Sequence, residues 1–110
     1  MAQGRKGKTR KSGGNVFEDL GLPNADEHLI KAKIVAEISR IMKGRKLNQT
    51  KAGDLMGISQ PEVSRMLRGL FREYSVERLM RFLTAFERDV DIVIRRREKG
   101  GRGSVNVVAA

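Results

Sequence analysis

The stretch QTKAGDLMGISQPEVSRMLRG, Gln49 to Gly69, decides the fold. It predicts two short helices joined at Gly57, where glycine takes a left-handed backbone conformation without a Cβ clash. Ser59 stands just before the second helix and Glu62 three residues later, the S-x-x-E spacing of a capping box. One helix therefore stops, and the next starts, on named signals. Ala52, Met56, Ile58, Val63 and Met66 fall where two crossing helices would touch, and Gly53 is small enough to let the partner approach. The outward positions of the second helix are Gln60, Pro61, Ser64, Arg65 and Arg68. Nearly all are polar. This is the pattern of a helix-turn-helix, whose second helix lies in the major groove of duplex DNA.

The form LNQTKAGDLMGISQPEVSRMLRG, followed by a helix and VDIVIRRR, resembles the phage-repressor-type (Xre/Cro) helix-turn-helix regulators. Within them it is similar to the HigA-like antitoxin branch, and the resemblance runs from about Asn15 to Arg97. It implies a mainly α fold, a four- to five-helix repressor-like domain that binds double-stranded DNA. It also implies that Gln60, Pro61, Ser64 and Arg65 read bases, and that Gln49 touches a phosphate while bracing the recognition helix. A small RelE-like toxin is the partner that the antitoxin branch implies. One departure is Gly53, where the family more often has alanine; glycine weakens a helix by about 1 kcal/mol.

The chemistry of these side chains agrees with those roles. Gln60 can hydrogen-bond an adenine edge bidentately, and Arg65 can do the same to guanine O6 and N7. Pro61 has no N–H and offers an apolar contact, such as to a thymine methyl. Just upstream, Asn48 can cap the first helix of the pair, so that the Gln49 and Thr50 N–H groups face outward at a helix N-terminus, which favours an anion. Lys43, Arg45, Lys46 and Lys51 flank that end. Lys46, Gln49, Thr50, Lys51 and Arg68 are accordingly the expected phosphate contacts, against the plainer reading of a solvated basic face.

Further upstream, Asn24 caps a helix expected over Ala25–Lys43 that stops at Gly44. Ile30, Ile34, Ile38, Ile41 and Met42 form its apolar stripe. Leu29, Ala32, Val35 and Ala36 widen the stripe, and we take that width as burial rather than a partner surface. His28 is a surface residue. Val16, Phe17, Leu20 and Leu22 of the lead-in, residues 15–23, are expected to pack on the domain. Residues 1–14 read as a disordered basic arm, either solubilising or in contact with phosphates.

Downstream, Leu70–Tyr74 reads as a linker, and Ser75 caps a helix from Val76 to about Arg88. Its core residues are Val76, Leu79, Met80, Phe82, Leu83 and Phe86. From Val90 to Arg96 the period changes: Val90, Ile92 and Ile94 alternate with Asp91 and Arg95, as in a β-strand. A lone strand needs a backbone partner. Pairing with the same strand of a second copy would give a homodimer, with recognition helices one turn of DNA apart. The alternatives are a longer helix or internal coil. Residues 98–110 read as a flexible tail.

Charge follows this map. The chain has 110 residues and a formal net charge of +10. Residues 1–14 carry +5, and residues 95–102 carry +4. Between them, residues 40–72 carry +6, while 15–39 and 73–94 carry −3 and −2. The positive charge of the folded part thus sits on and beside the helix-turn-helix, which suits a polyanion. There is no cysteine and a single histidine, so neither a thiol nucleophile nor a metal site is expected. With no glycine-rich phosphate loop and no evident pair of carboxylates, we expect a cofactor-free binding protein rather than an enzyme. No stretch approaches a membrane span, and the cytoplasm is the expected location. The alternatives to an antitoxin are a stand-alone phage-type repressor and a nonspecific nucleic-acid-binding protein.

Overall fold

The computed structural model describes residues 24–109. The basic arm over residues 1–14 and the lead-in over residues 15–23 lie outside the described residues. Within them the helices are α1 (Asn24–Gly44), α2 (Gln49–Met56), α3 (Gln60–Leu67) and α4 (Val76–Ala85). None is long and apolar enough to cross a membrane.

Side-chain caps start three of these helices. Asn48 accepts from the Lys51 N–H at 2.8 Å and Ser75 from the Arg78 N–H at 3.0 Å. Ser59 and Glu62 form the full capping box of α3. Helix ends are closed by residues of positive φ, since a left-handed residue lets the next N–H turn back onto an orphan carbonyl. Gly57 (φ 77) and Gly69 (φ 97) do this after α2 and α3. The other two ends depart from expectation. α1 ends at Gly44 as expected, but the left-handed reversal falls on Lys46 (φ 55), after which the Leu47 N–H reaches Met42 O at 2.9 Å. After α4, which ends at Ala85 rather than Arg88, the reversal falls on Glu87 (φ 65), with the Arg88 N–H on Leu83 O at 3.2 Å.

The expected stripe of α1 is the spine of the core: Ile30, Ile34, Ile38, Ile41 and Met42 are all buried. Val35 joins them, whereas Leu29 and Ala36 face solvent, so only part of the extra width is burial. Against this spine pack Ala52 and Met56 of α2, Val63 and Met66 of α3, and Leu79, Phe82, Leu83 and Phe86 of α4. The segment read as a linker is core instead. Phe71 and Tyr74 are buried, Phe71 stacked on His28 at 4.9 Å and Tyr74 edge-on to Phe82 at 5.6 Å. Lys31, buried on α1, ties this loop down by donating to the Arg72 carbonyl at 2.9 Å while pairing with Glu27 at 3.2 Å. A buried ammonium is tolerable only with such partners.

The C-terminal segment corrects a further expectation. Among the described residues there is no strand: Val90 to Arg96 runs as irregular chain. A ladder needs a second extended segment, and the helical body supplies none. Val90 rests against the core, while Ile92, Val93 and Ile94 are 76%, 70% and 92% exposed. Farther on, Val107 also packs on the core, and residues 104–107 line a hollow beside Asp26, Leu29, Ile30 and Lys33 of α1.

Candidate nucleic-acid interface

The corner between α2 and α3 fixes how α3 is presented. Gly53 O accepts two N–H groups, from Gly57 at 2.7 Å and Ile58 at 2.9 Å, which closes α2 and turns the chain. Val63 and Met66 then anchor α3 with no exposure at all. At 100° per residue their side of α3 faces the core, and Gln60, Pro61, Ser64, Arg65 and Arg68 share an arc of about 140° on the other. Gln60, Pro61, Arg65 and Arg68 are exposed there and Ser64 is half-buried. Arg68 lies one residue past the helix as its C-cap.

Gln60 Nε2 donates to Gln49 Oε1 at 2.6 Å, joining the first residue of α2 to the first residue of α3. The bond leaves Gln60 one N–H and its Oε1 free, the donor–acceptor pair that an adenine edge requires. It engages only the Gln49 oxygen and leaves the amide nitrogen as a donor for an anion. The structure thus contains the brace that the resemblance implied. The N-terminal turn of α2 holds no acidic side chain, so nothing there neutralises its positive dipole end. Thr50, Lys51 and Lys46 are exposed around it. Arg45, one of the flanking basic residues, is partly engaged: its Nη1 donates to Phe86 O at 3.2 Å.

Two further residues shape the starts of α3 and α4: Glu62, expected from the capping-box spacing, and Arg78, which the sequence did not single out. The Arg78 guanidinium lies over the Tyr74 ring at 4.9 Å and the Phe82 ring at 5.6 Å, a cation–π arrangement. Glu62 receives the Ser59 backbone N–H at 2.8 Å. That bond, then the Ser59 hydroxyl, holds the Glu62 carboxyl below the usual carboxylate range; burial opposes, and Arg65 and Arg78 help slightly. A depressed folded value means that the cap stabilises α3 above the usual carboxylate range and is lost as pH falls through the lowered value. Glu62→Gln should therefore melt below wild type at neutral pH, and the gap should close in acid. A gap independent of pH in thermal melts would contradict this role.

A family model described as a helix-turn-helix domain matches residues 16–95. A solved structure provisionally described as an XRE family transcriptional regulator aligns with a TM-score of 0.75 and 35% identity, covering 80% of this chain and 100% of its own. The chain belongs to the Xre-type helix-turn-helix family. No curated protein matches it. In this Xre-type protein the fold is that of a DNA-binding domain, and α3 is the second helix of its helix-turn-helix.

Proposed function

We propose that this Xre-type protein represses transcription by occupying a palindromic operator as a dimer and blocking polymerase, with no chemistry of its own. Gln60, Pro61, Ser64 and Arg65 read bases, while Lys46, Gln49, Thr50, Lys51 and Arg68 hold phosphates. The observation that carries this reading is the exposed polar face of α3, braced at its start by the Gln49–Gln60 bond. The basic segments at residues 1–14 and 95–102 add sequence-independent attraction. A dimer matches the two-fold symmetry of an operator.

Lys46→Ala is expected to weaken binding on all sequences alike and to lower the salt slope by about 1. Alanine keeps the left-handed backbone as strained as lysine does, so thermal stability should change little. An unchanged slope in binding isotherms at several salt concentrations would remove Lys46 from the phosphate set.

We propose further that the protein is the antitoxin of a pair, its partner a small RelE-like toxin. The resemblance to the HigA-like branch and the −3 charge over residues 15–39, complementary to a basic protein, support this. Co-expression with the flanking gene tests it. Co-purification of a small basic protein that inhibits growth when freed supports the antitoxin reading; purification alone as a stable dimer supports a stand-alone repressor.

A further inference from the structure

The segment from Arg88 to Glu98 reads RDVDIVIRRRE, and three pairs of positions that mirror one another about Val93 carry charges of opposite sign. Let it pair antiparallel with its own copy, Val93 opposite Val93. Asp91 then faces Arg95, Asp89 faces Arg97, Arg88 faces Glu98, Ile92 faces Ile94, and Val90 faces Arg96. Every charged pair among these is of opposite sign. A slip of one residue sets Arg88 against Arg97 while keeping one opposite pair, Asp89–Arg96, or sets Asp89 against Glu98 while keeping one, Asp91–Arg96. In-register parallel pairing sets Asp91 against Asp91 and Arg95 against Arg95. Like charges directly opposite one another are destabilising, so the Val93-centred register, with three opposite pairs and no like pair, is favoured.

The two faces of such a ribbon would differ as well. Odd-numbered positions carry Asp89, Asp91, Val93, Arg95 and Arg97, a mostly charged face. Even-numbered positions carry Val90, Ile92 and Ile94, apolar at the centre, with Arg88, Arg96 and Glu98 toward the ends. Val90 already rests on the core, and with Ile92 it lines a shallow cavity beside Met80 and Thr84 of α4. The apolar face therefore has a floor to lie on, which an isolated two-stranded ribbon lacks. Asp89, Asp91, Arg95 and Arg97 are all exposed, Arg97 with its Nε donating to the Gly100 carbonyl at 3.5 Å.

We propose that Val90–Arg97 is a self-recognition element that joins two copies of this chain as an antiparallel ribbon centred on Val93. The proposal rests on the dimer reading above and adds its register, in which Asp91–Arg95 pairs set the alignment and the exposed isoleucines cover one another.

The test uses the full chain in sedimentation equilibrium. Asp91→Arg and Arg95→Asp should each weaken self-association on the order of 10- to 100-fold, because two symmetric pairs become repulsive. The double variant should restore it, and an equimolar mixture of the single variants should form heterodimers. Independently, Val93→Cys should cross-link rapidly under mild oxidant, since opposed Cα atoms in an antiparallel pair lie within disulfide range. The native chain has no cysteine to compete. Leu70→Cys, on an exposed loop, should cross-link only slowly. Single variants that dimerise as wild type does, or Val93→Cys cross-linking no faster than Leu70→Cys, overturn the register while leaving a dimer standing. A wild type monomeric at every concentration overturns both. Binding of monomers to half-site DNA remains a separate readout of α3.

Discussion

Gly53→Ala is expected to destabilise the domain by about 1–3 kcal/mol, although alanine is the better helix former by about 1 kcal/mol. A Cβ at Gly53 would stand 2.6 Å from Ile58 O and 3.3 Å from Val63 Cγ2. The first of these is backbone at the corner itself, and it cannot swing aside as a long side chain could. Relief would require α2 and α3 to separate, and with them the pair of N–H groups that Gly53 O accepts. Alanine is the commoner residue at this point in the proteins that the chain resembles, so their two helices need not meet as closely. Chemical denaturation measures the effect, and an increase in stability would show that the corner opens at little cost. DNA affinity should fall with it, because the Gln49–Gln60 bond spans the same corner.

Arg65→Ala is expected to cost about 1–3 kcal/mol on the preferred duplex and to relax selectivity at one base pair. Arg65 is exposed on the outward arc of α3, and no intramolecular ion pair engages it among the described residues. Its guanidinium is therefore available for a bidentate bond to guanine. An equal loss on every sequence would make it a phosphate contact instead.

What could be read in advance was mostly local. Gly57, the Ser59–Glu62 box, Asn48 and Ser75 each act within a few residues, and each performs the expected role. The stripe from Ile30 to Met42 depends only on helical period, and so does the outward arc from Gln60 to Arg68. The misses arise where tertiary contacts override a local signal. Gly44 does end α1, yet the left-handed turn falls two residues later on Lys46. Phe71 and Tyr74 sit in a short irregular loop with no period to mark them, and only contact with His28, Phe82 and α1 buries them. Lys31 reads as a surface lysine until the loop carbonyl of Arg72 arrives beside it. The Gln49–Gln60 bond joins residues eleven apart, so it depends on the crossing of α2 and α3 rather than on spacing. The strand expected at Val90–Arg96 has the right period but no partner among the described residues.

Selection of bound duplexes from a random pool at fixed salt, run with wild type and with Arg65→Ala, tests the recognition role of α3 most directly. Wild type should enrich a discrete motif, and the variant the same motif relaxed at a single position in each half-site. Enrichment of no motif, or of identical motifs by both proteins, would contradict it.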